Sequence, residues 1–340
     1  MKSTSTRRAD SHCRVTLKDV ARLAEVSEIS VSRVMRDAPN ISEKLRNKVM
    51  LAANSLGYTP NRVAGALKNN NSKLVAVVLP SMSNEVFPQV LNGIETVLAQ
   101  HGLNAVLGLS EYDSERELRV IRELLSWSPM GIVLTGLHHD ETVAKMIAQQ
   151  NIPVVQIMDI DGEAIQSAVG ISHSKAAQAA ADYLVKKGYK KPAYIGAWSE
   201  RPVRSRTRRL AFEARLEVLG VPLVSHKIAN ERSSALVGAQ TTTDLLSEHP
   251  DLDCIFYAND DLALGGLFHA MKAGMSIPDE LAILGFNGLQ IGRATPIQLS
   301  SVETPRFEMG TRAAELLLAL ETEGSQIIDL DFKIFSGGST

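Results

Sequence analysis

From Lys73 to Gly285 the chain repeatedly pairs a short run of β-branched and aliphatic residues with a longer amphipathic stretch. That alternation leaves few possible architectures. The predicted strands are Leu74–Leu79, Ala105–Leu109, Gly131–Thr135, Val154–Met158, Ala193–Gly196, Cys254–Tyr257 and Leu281–Gly285. Helical spacing of apolar residues predicts helices between them, among them Phe87–Gln100, Glu115–Trp127, Ser174–Lys187 and Leu262–Ala273. Such alternation builds parallel sheets with helices on both faces, an α/β fold, and ligands of these sheets sit at the carboxyl ends of the strands. Those ends read Pro80-Ser81, Thr135-Gly136, Met158-Asp159, Ala197-Trp198, Ala258-Asn259-Asp260 and Asn287-Gly288. This is a polar, hydrogen-bonding rim that suits a sugar-like ligand.

The first 68 residues follow a different pattern. They hold 13 Lys and Arg against 6 Asp and Glu, while the remainder holds 23 against 32, so a net charge of −2 conceals a basic head and an acidic body. A basic head points to a polyanion as its partner. Its pattern is that of three short helices. Thr16 with Asp19 three residues on forms a helix start, followed by Leu17, Val20, Ala21 and Ala24 on one face. Ser27 caps a second helix, Glu28 to Arg36, with Ile29, Val31, Val34 and Met35 apolar and Ser30, Ser32 and Arg33 between them. A third follows Ser42, turning Leu45, Val49, Ala52, Ala53 and Leu56 inward and Lys44, Arg46 and Lys48 outward, and stops at Gly57. A tight turn between the first two gives the helix-turn-helix arrangement, whose second helix enters the major groove of DNA.

The segment TLKDVARLAEVSEISVSRVMRDAPNISEKLRNKVMLAANSLGYTPNRVAGAL resembles the headpiece of the LacI/GalR family of metabolite-responsive repressors. The resemblance implies operator contacts from Thr16, Leu17, Ser27, Ile29, Ser30, Ser32, Arg33 and Asn40. One departure is Glu25, where most members place Gly for a positive φ, at a cost of about 1 kcal/mol. The stretch Asn61-Arg62-Val63-Ala64-Gly65-Ala66-Leu67 matches the family's hinge. There the resemblance implies DNA contacts from Asn61, Arg62, Ala64 and Leu67, with Leu67 wedged between base steps in the minor groove. A plain interdomain linker is the other reading of that stretch. Because each hinge pairs with a second copy, a homodimer on a pseudo-palindromic double-stranded operator is implied.

Residues 73–340 resemble the family's regulatory domain, of the periplasmic-binding-protein type I fold, in LPSMSNEVFPQVLNGIE, VGISHSKAAQAAADYLVKKGYKKPAYIG, YANDDLALGGLFHAMKAGMSIPDELAILGFNG and SVETPRFEMGTRAAELLL. The expected organisation is a disordered basic tail over 1–14, a helix-turn-helix domain over 15–60, a hinge helix and linker over 61–72, and the effector-binding domain thereafter. That domain divides into two Rossmann-like subdomains, about 73–172 with 301–332 and about 173–300 with 333–340, with crossovers near Ser172, Ser300 and Phe332.

For the effector, the resemblance implies contacts from Ser81, Asn84 and Phe87, from Met158 and Asp159 near the opening, and from Arg208, Asn259 and Asn287. The strand-end reading adds Thr135 and Trp198; Trp198 either stacks on a sugar ring or packs at the cleft mouth. Most members carry Asp where this chain has Asn287, and an amide lowers the repulsion of an anion. Residues 201–209 supply five arginines, Arg204 and Arg208 among them, and guanidinium forks match carboxylates. A solvated helix start is the alternative for this run, Arg208 excepted. The blocks SMSNEVFPQVLNGIE, ANDD and the closing SGGS look most like gluconate-type members. A sugar acid, gluconate or ketogluconate, is therefore favoured over a neutral sugar, a nucleoside or a purine.

Several classes are set aside. No nucleophile elbow, Walker loop, zinc-ligand pair or dinucleotide fingerprint is present, so neither an enzyme nor a cofactor or metal is expected. His138-His139-Asp140 reads as a solvated loop and Phe335–Thr340 as a tail. A solute-capture protein of the same fold needs a signal peptide, whereas residues 1–14 carry charge without an apolar stretch behind it. No apolar run approaches the roughly 20 residues of a membrane span. Cys13 and Cys254 stand in no motif and read as free thiols of a cytoplasmic protein.

Overall fold

The structure is a computed structural model that describes residues 15–36, 38–59, 72–83, 85–198 and 203–340. The expected tail, the hinge residues Asn61, Arg62, Ala64 and Leu67, the effector candidate Asn84, and Arg201 lie outside them. The chain divides into two compact units, 1–70 and 71–340.

The first unit contains α1 (Leu17–Leu23), α2 (Glu28–Met35) and α3 (Glu43–Leu56). Each begins where a small polar side chain answers otherwise unpaired donors. The Asp19 carboxylate accepts from the backbone N–H and the hydroxyl of Thr16, Ser27 accepts from the N–H of Ser30, and Ser42 accepts from that of Leu45. Gly57, at φ 63°, closes α3. Val20, Ala21, Ala24, Val31, Val34, Val49, Ala52 and Ala53 form a small core of short side chains, which lets three short helices approach closely. Between α1 and α2 stands Glu25 at φ 49°, a left-handed position occupied by a residue with a Cβ. Its carboxylate meets Lys48 Nζ at 3.1 Å in an exposed pair.

The second unit runs β1 (Leu74–Leu79), α4 (Val86–Gln100), β2 (Asn104–Leu109), α5 (Ser114–Ser126), β3 (Gly131–Thr135), α6 (Glu141–Gln150), β4 (Val154–Asp159) and β5 (Ser167–Ile171). It continues through α7 (His173–Lys187), β6 (Pro192–Ala197), α8 (Val203–Val218), β7 (Ser225–Ala229), α9 (Ala235–Glu248), β8 (Cys254–Tyr257), α10 (Asp260–Lys272), β9 (Ala282–Asn287) and α11 (Gln290–Arg293). It ends with β10 (Ser300–Glu303), α12 (Arg306–Glu323), β11 (Ile327–Asp329) and β12 (Lys333–Phe335). Two six-stranded sheets result, in the orders β11-β5-β4-β3-β1-β2 and β12-β10-β9-β8-β6-β7. All neighbours are parallel except β10 and β12. The inner strands are buried along both faces, as LVAVVL in β1 and GIVLT in β3 require, while the edge strands are partly exposed.

The chain passes between the sheets three times. It leaves the first after β5, where Ser172 caps α7, and returns to it in α12. It crosses finally between β11 and β12. The second passage lies past Glu303, because Ser300 to Glu303 pair with Leu284 to Asn287 in the second sheet. Residues 301–303 therefore belong with the second sheet, a correction to the expected boundary at Ser300. Helix α12 packs on α4 at Gly93 and Gly310. A Cβ on Gly310 would stand 1.9 Å from the carbonyl oxygen of Val90, so only glycine permits this approach.

Two loop readings are corrected. The C-terminal residues are built into the second sheet rather than left as a tail. Ile283 N donates to Ser339 O at 2.7 Å, Ser339 Oγ donates to Ile283 O, and the Ser339 side chain is fully buried. His139 is likewise not solvated: its ring packs back on α5, with Nδ1 3.0 Å from Glu117 Oε2 and Nε2 3.0 Å from Gly136 O. Among the described residues no helix is long and apolar enough to cross a membrane.

Candidate functional site

The carboxyl ends of β1, β4, β6, β8 and β9 converge on a cleft between the two sheets. The chain turns sharply there: Met158, Trp198 and Asn287 have φ values of 80°, 62° and 112°, and Glu111 and Tyr112 just beyond β2 have 52° and 56°. Side-chain-bearing residues in this region are strained, and such residues collect at functional sites. A cavity of about 330 Å³ lies here, within the range of small-molecule sites. From the first half it takes Ser81, Phe87 and Met158, and from the second Arg204, Arg208 and Asn287.

Arg208 dominates the electrostatics. It comes from α8 and is buried, with Nη1 2.9 Å from His173 Nδ1, Nη2 donating to Ala258 O at 2.8 Å, and the guanidinium 4.0 Å above the Phe286 ring. Nε is buried without a hydrogen-bond partner, and no carboxylate pairs with the group among the described residues. Burial lowers its pKa to about 10, which leaves it charged at neutral pH. Since Arg208 donates to Nδ1 of His173, that nitrogen carries the lone pair, and Nε2 donates to Met158 O at 2.9 Å. Burial first, and the Arg208 charge second, hold the His173 pKa well below its ordinary value. A neutral imidazole thus orients a buried cation that makes no ion pair among the described residues, the Asp159 charge acting on it only at longer range. Leaving such a charge unpaired is costly.

One turn earlier on α8, Arg204 reaches the opposite wall. Its Nη1 stands 2.9 Å from where a Cβ on Gly136 would be, so the glycine after β3 makes room for it. Arg232 pairs with Glu111 at 2.7 Å and covers the Trp198 ring at 4.7 Å. Asp260 is buried below the rim, accepting from Ser301 Oγ at 2.7 Å and Leu289 N at 2.6 Å, and so braces the loop that carries Asn287. Burial raises its pKa to about 7.

Two family profiles match the chain: "Bacterial regulatory proteins, lacI family" over residues 16–61, and "Periplasmic binding proteins and sugar binding domain of LacI family" over residues 72–334. The chain belongs to the LacI family. It is similar to the HTH-type transcriptional regulator GntR of Pseudomonas aeruginosa, with 38% identity over 332 residues and 96% of each chain covered. The GntR of Escherichia coli K12 is 36% identical, covering 96% of this chain and 98% of its own. A LacI-family transcriptional regulator from Silicibacter pomeroyi has a TM-score of 0.91 at 38% identity, covering 96% of this chain and 99% of its own. The relatives are transcriptional regulators, and the chain is a DNA-binding regulator of this family.

Within this LacI-family chain the cleft brings together most of the residues singled out in the sequence: Ser81, Phe87, Met158, Trp198, Arg204, Arg208, Asn259 and Asn287 all line the one cavity. Thr135 and Asp159 instead line a neighbouring cavity, and the Thr135 hydroxyl donates to Val78 O. Asn259 is committed to the fold, its Oδ1 accepting from Leu262 N and its Nδ2 donating to Ser233 Oγ. Trp198 lines the cavity and meets Tyr112 edge to face at 4.9 Å. Tyr112, His173 and Arg232 are among the lining residues that escaped the sequence reading. The strand-end rule applied to β2 points to Tyr112; nothing in the pattern marks a histidine in the first turn of a helix.

In the headpiece, Ile29, Arg33 and Asn40 are exposed, Ile29 by 73%. The hydroxyls of Thr16, Ser27 and Ser32 are hydrogen-bonded within the headpiece, to Asp19, Ser30 and Arg36, and Leu17 packs against its core.

Proposed function

We propose that the chain is an operator-binding repressor, active as a homodimer, whose DNA affinity is controlled by a small sugar acid, gluconate or a ketogluconate. The observation that carries the effector class is the buried Arg208 guanidinium without an ion pair, with Arg204 one turn away. A carboxylate meeting this pair supplies the absent charge, while Ser81, Asn287 and the Phe87 ring face the hydroxylated tail. The likeness of the ANDD and SGGS blocks to gluconate-type members supports the same class.

A ligand held from both halves favours closure about the three crossovers. In the dimer such closure changes the spacing of the two headpieces. The coupling is reciprocal, so operator DNA changes effector affinity by the same factor as effector changes DNA affinity. On the DNA side, Ile29, Ser30, Arg33 and Asn40 on and beside α2 read and position the operator, and the hinge residues Asn61, Arg62, Ala64 and Leu67 enter the minor groove.

Isothermal titration with gluconate, 2-ketogluconate, glucose and ribose, repeated on Arg208→Ala, tests this reading. Micromolar binding of a sugar acid that the variant loses is the expected result. Binding of a neutral sugar with no response to either acid discards the effector class and leaves the operator-binding role standing.

A further inference from the structure

We propose that Tyr112 sets the length of ligand this site accepts, by walling off the arginine cavity from a second cavity suited to a further sugar ring. The proposal rests on the sugar-acid reading above and deepens it.

Beside the 330 Å³ cavity, at the ends of β2, β3 and β4, lies another of about 430 Å³. Tyr112 and Arg204 line both, and so form the partition. The two sides differ in chemistry. Arg208 and Arg204 give the first an anion-binding character. The second shares Arg204 but also presents the carboxylates of Asp113, Glu117 (paired with His139) and Asp159 with the hydroxyls of Ser110, Ser114 and Thr135. Three carboxylates against the one shared guanidinium leave this side net negative, which disfavours a second acid and offers acceptors to hydroxyls, so it takes a neutral, hydroxyl-rich group. A hexonate bearing a glycosidically linked pyranose, an aldobionic acid, has this order of charge along its length.

Of the two partition residues, Tyr112 is the rigid one. Arg204 has a long, freely rotating stem, whereas the tyrosine ring has two torsions and is held from outside. Trp198 meets it edge to face at 4.9 Å and 70°; Arg232 covers Trp198 at 4.7 Å; Glu111 fixes Arg232 at 2.7 Å. The successive left-handed residues Glu111 and Tyr112 place their side chains in this stack. The stack joins the two halves of the cleft, since Glu111 and Tyr112 follow β2 of the first sheet while Trp198 and Arg232 follow β6 and β7 of the second.

Titration of the full-length protein with two ligand pairs, gluconate with maltobionate and glucose with maltose, tests the partition in wild type, Tyr112→Ala and Tyr112→Phe. Wild type is expected to prefer the shorter member of each pair, gluconate and glucose, by on the order of 100-fold, a steric exclusion. Tyr112→Ala brings the pair within about tenfold or reverses it, and Tyr112→Phe keeps the wild-type ratio. Trp198→Ala, which releases Tyr112, moves the ratio the same way and serves should Tyr112→Ala fail to fold. An unchanged ratio in both alanine variants overturns the proposal, as does wild-type protein that binds maltobionate as tightly as gluconate. Binding of glucose but neither acid, with maltose gained in Tyr112→Ala, leaves the length limit standing and discards the carboxylate. Silence toward all four ligands in every protein overturns both.

Discussion

Arg208 Nη1 lies 2.9 Å from His173 Nδ1, and this bond fixes the imidazole in the tautomer that protonates Nε2. The buried pair therefore works only while His173 is neutral. Protonation would place a second positive charge beside Arg208 and remove its acceptor. The His173 pKa is held well below 6.5 in the folded chain, chiefly by burial. The folded state thus binds fewer protons than the unfolded one below that value, and stability is lost as pH falls from about 6.5, by up to about 1.4 kcal/mol per pH unit. His173→Gln should flatten this acid-side loss in a denaturant series at pH 6.5, 5.5 and 4.5. An identical slope in the variant would show that other groups cause it.

Asp260 makes the opposite contribution. Its pKa is raised from 3.8 to about 7 by burial, outweighing the hydrogen bonds from Ser301 and Leu289 that favour the carboxylate. A carboxyl raised in the folded state binds the extra proton there, so stability from this group falls as pH rises from about 4 to about 7. Asp260→Asn, neutral throughout, should gain relative to wild type as pH rises through that window. Because Asp260 braces Leu289 and Ser301, the same variant should weaken effector binding severalfold through the Asn287 loop. Parallel melting curves for variant and wild type from pH 4.5 to pH 7.5 would refute the assignment.

The crossing of α4 and α12 is set by backbone contact. A Cβ on Gly310 meets Val90 O at 1.9 Å, and one on Gly93 meets Phe307 O at 2.1 Å; neither backbone can rotate aside as a side chain can. Gly310→Ala should cost about 1–3 kcal/mol and lower the melting temperature by several degrees. A melting temperature within one degree of wild type would mean that the helices separate freely.

The alternation of strands and helices was legible because both periods are local. A strand buried on both faces leaves an uninterrupted apolar run, as in Leu74–Leu79, and the amphipathic helix beside it repeats at 3.6 residues. The strands that went unread lack that signal. Of the five, β5 (SAVGI) and β10 (SSVE) are buried but begin on serine and carry too few large apolar side chains to stand out, the half-exposed SHKIA of β7 lies at a sheet edge, and β11 and β12 are three residues each. β11 is defined by pairing with β5, far away in sequence. The site followed the same division. Residues at the ends of legible strands, Ser81, Met158 and Asn287, were found, while Arg232 follows the unread β7. The fold of His139 onto Glu117 depends on a contact 22 residues away, which no local pattern announces.

Ile29 carries the last expectation. Val31 and Val34 of α2 are buried in the headpiece core, whereas Ile29, in the first turn of the same helix, is 73% exposed and lies one turn before exposed Arg33. An apolar side chain held in water at the start of a groove-reading helix is suited to a thymine methyl, and the cation to a phosphate. Ile29→Ala should lower operator affinity by about tenfold, change fold stability by less than about 0.5 kcal/mol, and leave binding to unrelated DNA nearly constant. Arg33→Ala should weaken binding to both DNAs and reduce the salt slope by about one. Fluorescence anisotropy across a salt series separates the two. Should Ile29→Ala weaken operator and unrelated DNA equally, the side chain positions the headpiece without reading sequence, and discrimination must come from its polar neighbours on α2.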